Sequence, residues 1–185
     1  MSEVTSSFPR LGFDELDPAL REQLAPTVKR LGYFGDYFAL VGRNPQAMLH
    51  FLEYTKAVKA PLSDRHNELL ALVTCTRTGA AYERIQHEWL SHRLGFPREW
   101  IAELVGRERS ASTLLDDDER CLQSLALAIL EGPWGGHGAE IGDVRARLGD
   151  SAALAAVLQV TRFMLLSTVM HAFAMQPPVK SLFDP

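Results

Sequence analysis

Glu68, Tyr82, Glu83 and His87 are the side chains in this sequence whose types and spacing are suited to moving protons. Glu83 and His87 are four residues apart, which on a helix puts both on one face, one turn apart. A carboxylate beside an imidazole raises the fraction of imidazolium and orients the ring. Glu68 lies on the preceding helical segment, 11 residues before Gly79, and His87 lies 8 residues after it. If the two segments pack antiparallel about that glycine, Glu68 approaches His87. Tyr82 adds a phenol that donates or accepts a hydrogen bond. Such a set handles protons near neutral pH. Each residue also has a plainer reading. A Glu-x-x-x-His pair on a helix surface is common and worth only about 0.2–0.5 kcal/mol. Glu68 could sit at the solvent edge of its helix, and Tyr82 could pack with its hydroxyl in water.

Other chemistries fit the spacing less well. His87-Glu88-Trp89-Leu90-Ser91-His92 looks like a zinc-protease motif, but the histidines are five apart. That turns the second away from the first by about 140°. Carboxylate-bridged iron bundles use Glu-x-x-His, usually twice, and here Glu-x-x-x-His occurs once. No metal and no cofactor are therefore expected. Cys75 falls on the apolar face of a helical segment and Cys121 on a separate one, and no serine stands in a Gly-x-Ser-x-Gly elbow. The loop from Gly132 to Gly138 is rich in glycine, but it lacks the preceding strand and following Lys-Ser/Thr of a phosphate cradle. It reads as a connection.

The elements that must position the four residues are helical. Sustained alternation and Asn-Gly hairpin turns are missing, whereas caps and stops recur. The signals predict helices over Phe13–Leu24 (stopped by Pro26), over the short aromatic segment Tyr33–Val41, and from Asn44-Pro45 to about Lys59. Ser63 caps the next helix, whose buried face is Leu69, Leu70, Leu72 and Val73 and whose end is Gly79. Further helices are expected over Ala81–Leu94, Pro97–Val105, Asp117–Glu131 (capped by Asp116) and Ala139–Leu148, and from a cap at Asp150 to about Met175. The sum is one all-α domain of seven or eight helices, with N-terminal helices to residue 60 and a core over 61–176.

The 185 residues carry 19 Lys and Arg against 23 Asp and Glu, a net charge of −4, and their basic residues are scattered. That balance argues against nucleic-acid binding. The apolar run Ala152–Met175 has Arg162 near its centre. A central arginine costs roughly 2.5–3.5 kcal/mol on insertion scales, so the run reads as a buried helix rather than a membrane span. The N-terminus lacks the basic start and apolar run of a signal peptide, and the two cysteines form no Cys-x-x-Cys. A cytoplasmic location is expected.

The Glu68-to-His87 hairpin, with its Thr78-Gly79 turn, its Tyr82-Glu83-x-x-x-His87 run and the following Gly95 and Pro97, resembles the carboxymuconolactone decarboxylase and alkylhydroperoxidase-D-like superfamily. The likeness covers about Pro61–Val105 and extends more weakly through the last long helix. It implies an all-α fold that assembles as homo-oligomers, often trimers or hexamers, and acts on a small molecule. In the peroxidase branch a Cys-x-x-Cys pair opens the second helix beside a relay of glutamate and histidine. By resemblance the relay is Glu68 and His87, while Ala80 and Glu83 stand in the cysteine positions. Without those thiols, disulfide-based peroxide reduction is disfavoured. The decarboxylase-like branch also lacks the pair. It implies a cofactor-free acid/base enzyme on a small organic acid or lactone, with His87 as proton donor, Glu83 orienting it, and Glu68 or Tyr82 polarising the substrate. An arginine is expected to hold a substrate carboxylate, Arg77 and Arg84 being the nearest in sequence.

Overall fold

The computed structural model describes residues 8–106 and 114–184; the reading of the extreme N-terminus as lacking a signal peptide falls mostly outside them. Every regular element among the described residues is helical. A single 3-10 turn at Phe13–Glu15 precedes nine helices: α1 (Pro18–Leu31), α2 (Asp36–Val41), α3 (Pro45–Lys59), α4 (Asp64–Thr78), α5 (Ala81–Arg93), α6 (Arg98–Val105), α7 (Asp117–Glu131), α8 (Gly138–Leu148) and α9 (Asp150–Ala172).

Local chemistry sets most boundaries. Asn44 Oδ1 accepts the Ala47 N–H at 3.2 Å with Pro45 in the first helical position, and Ser63 Oγ accepts the His66 N–H at 3.1 Å. Asp116 and Glu119 cap each other's backbone N–H at the start of α7. Several boundaries differ from the sequence reading. The segment expected as one helix over Phe13–Leu24 is the 3-10 turn followed by α1. Asp17 accepts from Ala19 and Leu20 and restarts the chain as a helix at Pro18. Pro26 does not end α1; it sits on the exposed side while Leu20 and Leu24 bury the other, and Gly32 ends the helix at φ 82°. The cap of α9 is Gly149, with Asp150 already in the first turn and paired to Arg145 at 2.5 Å. That helix ends at Ala172, short of Met175.

Helix α4 is the centre of the fold. Ten consecutive residues, Asn67–Thr76, are buried, so α4 is covered on all sides rather than on one stripe. Leu69, Leu70, Leu72 and Val73 enter a core shared with α6, α7, α8 and α9. Ala71 and Cys75 enter a second core shared with α1, α2, α3, α9 and Tyr82 of α5. Helix α9 is long and apolar enough to cross a membrane by length and composition, but over half of that window is buried within the fold. It packs along α4, α7 and α8.

The α4–α5 connection is tight because Gly79 adopts φ 72° and its N–H, with that of Ala80, returns to carbonyls of the last turn of α4. A Cβ at Gly79 would meet nothing nearer than His171 at 3.9 Å. Gly79→Ala therefore carries a backbone penalty alone, about 1–2 kcal/mol, and is expected to lower the thermal midpoint by a few degrees. A loss well beyond that in calorimetry would mean that the turn is limited by packing instead.

Candidate functional site

The antiparallel α4–α5 pair brings Glu68 and His87 into direct contact: His87 Nδ1 lies 2.6 Å from Glu68 Oε2. Glu68 is 2% exposed, which removes the possibility of a solvent-edge residue. Ser91 Oγ, one turn beyond His87, donates to the same carboxylate oxygen at 3.3 Å. Glu83 lies across the other ring nitrogen, with Oε1 3.6 Å from His87 Nε2, an ion-pair distance rather than a hydrogen bond. The carboxylate that orients the imidazole is thus Glu68. Glu83, expected in that role, instead joins His87 in lining a cavity of about 200 Å³. Tyr82 lines it too; it is 2% exposed, and its hydroxyl accepts the Tyr37 N–H at 3.5 Å instead of facing bulk water.

Electrostatics follow from this geometry. Burial alone would pull His87 down, but the Glu68 charge and hydrogen bond, followed by Glu83, outweigh it and bring the imidazole up to about 9. Burial would raise Glu68, and its interactions with His87, aided by Lys59 and Ser91, hold it below the ordinary carboxylate value. The pair is a buried carboxylate–imidazolium. Burial pushes Tyr82 up to about 12 and Tyr37 higher still, so both phenols remain protonated at neutral pH.

The arginine of the cavity is neither of those nearest in sequence. Arg77 is exposed on the last turn of α4, and Arg84 pairs with the buried Glu88. Arg162, from the middle of α9, lines the cavity and is only 7% exposed. Its Nε donates to Gln159 Oε1 at 2.9 Å, and Gln159 Nε2 donates to Asn67 Oδ1 at 2.9 Å. Asn67 Nδ2 is anchored to the carbonyls of Lys59, Leu62 and Ser63 at 3.0–3.2 Å. The guanidinium lies 3.9 Å over the Phe163 ring, which also forms a T-shaped pair with the His87 ring at 5.1 Å. Burial draws Arg162 below the usual arginine value, with Glu83 opposing, and an arginine stays charged regardless. The sequence signal for this line was the Gln159-x-x-Arg162 pair, one turn apart inside an otherwise apolar helix.

The remaining sequence candidates lie elsewhere. His92 is exposed at the end of α5. Among the described residues, no group of three or more His, Cys, Asp or Glu is arranged to hold a metal ion. Cys75 is fully buried and burial pushes its thiol well above the usual range; Cys121 is on α7, away from the cavity. Ala80 is buried at the start of α5.

No protein-family model matches the chain, and no curated protein sequence matches it. Solved structures do. The alkylhydroperoxidase AhpD core of an uncharacterized peroxidase-related protein from Ralstonia eutropha JMP134 superposes with a TM-score of 0.80 at 16% identity, covering 95% of this chain and 94% of that one. The debrominase Bmp8 matches with a TM-score of 0.80 at 16% identity over 94% and 93%. A putative antioxidant defence protein AhpD from Agrobacterium tumefaciens matches with a TM-score of 0.67 at 19% identity, over 76% of this chain and 96% of that one. The chain has the AhpD-like all-helical fold.

The pair makes a signed prediction for stability against pH. His87 is raised from 6.5 to about 9, so its contribution is complete below about 6.5 and is lost as pH rises through about 9. Glu68 is lowered from 4.5, so its contribution is present above that value and is lost as pH falls through its folded-state pKa. In Glu68→Gln the imidazole keeps its burial and loses its principal counter-charge. Its NMR titration midpoint is expected to fall by more than one unit, and an unchanged midpoint would remove Glu68 as the cause.

Proposed function

We propose that this protein is a cofactor-free acid/base enzyme acting on a small organic acid or lactone, by decarboxylation or a related proton transfer to carbon. The observation that carries the reading is the buried Glu68–His87 pair, with His87 Nε2 and Glu83 at the cavity. In a decarboxylation the carbon–carboxylate bond breaks and carbon dioxide leaves. The electron pair remains on the substrate as an enolate. The Nε2–H of the His87 imidazolium then supplies the proton that forms the new C–H bond. Glu68 holds the ring and keeps it charged, and Glu83 takes a proton from solvent water and passes it to the neutral Nε2. Tyr82 and Tyr37 offer neutral phenols to the developing enolate oxygen. A cavity of this size suits a molecule smaller than a drug-sized ligand.

The peroxidase-related and antioxidant names of structural neighbours favour a second reading, peroxide reduction. It would need a reactive thiol, and Cys75 is sealed in the core with its thiolate disfavoured. A cysteine-to-alanine variant of the neighbour Bmp8 has been crystallised with 2,3,4-tribromopyrrole, a small ring compound in keeping with the first reading's substrate size.

Assembly and location complete the proposal. Leu154, 62% exposed, and Leu165, 50% exposed, lie on one outward line of α9 with Leu158 and Thr161. Their alternating spacing of three and four matches a helix-pairing seam. A homo-oligomer of cytoplasmic subunits joined along this line is the expected form; a monomeric mass at micromolar concentration in light scattering would refute it.

The test of activity uses a panel of unsaturated lactone carboxylic acids and 3-oxo acids in deuterated water, reading carbon dioxide release and deuterium at carbon. His87→Gln should lower the rate by roughly 10²–10⁴ with unchanged circular dichroism. The wild-type rate should drop as pH rises through about 9, where His87 loses its proton. The Cys75→Ala/Cys121→Ser double variant should retain it. Peroxide consumption that vanishes in the double variant, without any exchange at carbon, would instead establish the second reading.

A further inference from the structure

Arg162 is held in the manner of a binding group rather than a structural one. A buried arginine whose purpose is to stabilise a core is ordinarily met by a carboxylate, because an unpaired buried charge is costly. Among the described residues, no carboxylate is in direct ion-pair contact with Arg162, although Glu83 and Glu68 act on it through space; its hydrogen-bond partner is the neutral side chain of Gln159, through Nε alone. Neither Nη group makes a hydrogen bond among the described residues, and the side chain that carries them lines the cavity. The support behind them is rigid: Gln159 is tied to Asn67, and Asn67 to three carbonyls of the α3–α4 connection. The guanidinium plane is fixed again from one face by Phe163.

The charge around the cavity points the same way. Glu68 and Glu83 are balanced by the His87 imidazolium and Arg162, and Lys59 and Arg30 also line the space. The lining of the cavity therefore carries a positive surplus. Most of its remaining wall is apolar or aromatic, with Phe38, Met48, Phe51, Leu52 and Leu166 beside the polar Thr27, Thr55 and Gln86.

We infer that the cavity takes a small planar carboxylate with an apolar or unsaturated body, its carboxylate received by the two Nη groups of Arg162 and its body laid against the aliphatic and aromatic wall. Arg162 is the specificity-determining residue; Gln159 and Asn67 are positioning residues that act through it. A guanidinium with both Nη groups free matches a carboxylate with two parallel hydrogen bonds, which a lysine cannot reproduce. Because Arg162, His87 and Glu83 line the same cavity and Phe163 packs against both cationic groups, a molecule whose carboxylate sits on Arg162 has its body within the space that His87 and Glu83 also line. The inference deepens the acid/base reading of this cavity and rests on it for the identity of the reacting end.

The test is equilibrium binding of four probes to the intact protein by calorimetry or ligand-observed NMR: benzoate and 2-furoate, with their neutral isosteres benzamide and 2-furamide. Loss of charge-assisted hydrogen bonds is worth roughly a ten- to hundredfold change, so at least one carboxylate should bind tenfold or more tighter than its amide. Arg162→Met should erase the preference. Arg162→Lys should restore only part of it, and Gln159→Leu should weaken the carboxylate while leaving the amide unchanged. If neither carboxylate outcompetes its amide on the wild-type protein, the inference is overturned, whether or not any variant folds. An Arg162-dependent preference in a protein that turns over none of the activity panel leaves this site standing and removes the acid/base reading. Turnover of neutral lactones at rates indifferent to Arg162→Met does the reverse.

Discussion

A single carboxylate, Glu68, governs the arrangement. It sits within ten consecutive buried residues of the central helix, where an ionised acid is tolerated only if its charge and lone pairs are met. His87 and Ser91 meet them from α5. That requirement fixes how far α5 slides along α4 and how it is rotated, since a shift of one residue would swing the imidazole away by about 100°. The tight Gly79 turn brings the two helices back antiparallel, and the buried pair sets their register. Everything that faces the cavity from α5, Tyr82 and Glu83 included, is placed by that register.

Asn67, the residue before Glu68, repeats the device on the adjacent face of α4. Successive residues of a helix point about 100° apart, so Glu68 reaches α5 while Asn67 reaches α9. Asn67 ties α9 to the end of α3 through Gln159, and Gln159 in turn holds Arg162. Two polar lines therefore leave α4 from neighbouring positions and reach the same cavity from two helices. Phe163 lies between their ends, touching both cation-bearing groups. Buried polar networks seldom add stability over an apolar core of equal volume. Two that converge on one space are more economically understood as orienting groups for a ligand.

Much of this was legible in the chain because helices announce themselves locally. Asn44-Pro45, Ser63, Gly79 and Asp116 act through groups within a turn of one another, so each boundary needed no knowledge of the fold. Pro26 misled for the complementary reason: burial of Leu20 and Leu24 against distant helices carries α1 past a local breaker. The same division runs through the site. Glu83 and His87 share a helix face by spacing alone, and Glu68 follows once the turn is recognised. Which of the two carboxylates would hold the ring depended on how α4 and α5 rotate against each other, and spacing favoured the nearer one in sequence. Arg162 was visible as an oddity in an apolar run, but its pairing with the cavity is a tertiary fact made by Gln159 and Asn67, 92 positions apart.

Under the proposed reading, Glu83 takes the place at which the resembled peroxidase branch carries a thiol. A thiolate at that place would be stabilised by the adjacent imidazolium and would give electrons. A carboxylate at that place takes the same stabilisation and gives or accepts a proton. The Glu68–His87 pair sets an imidazolium beside Glu83, its charge favoured by both carboxylates. The remaining cysteine near the site, Cys75, lies in the core where desolvation and the neighbouring Glu83 both oppose its ionisation. Under the proposed reading, then, the scaffold keeps its relay and changes what the relay serves: the second helix delivers an acid where a sulfur would stand, and α9 supplies the cation that a charged substrate requires.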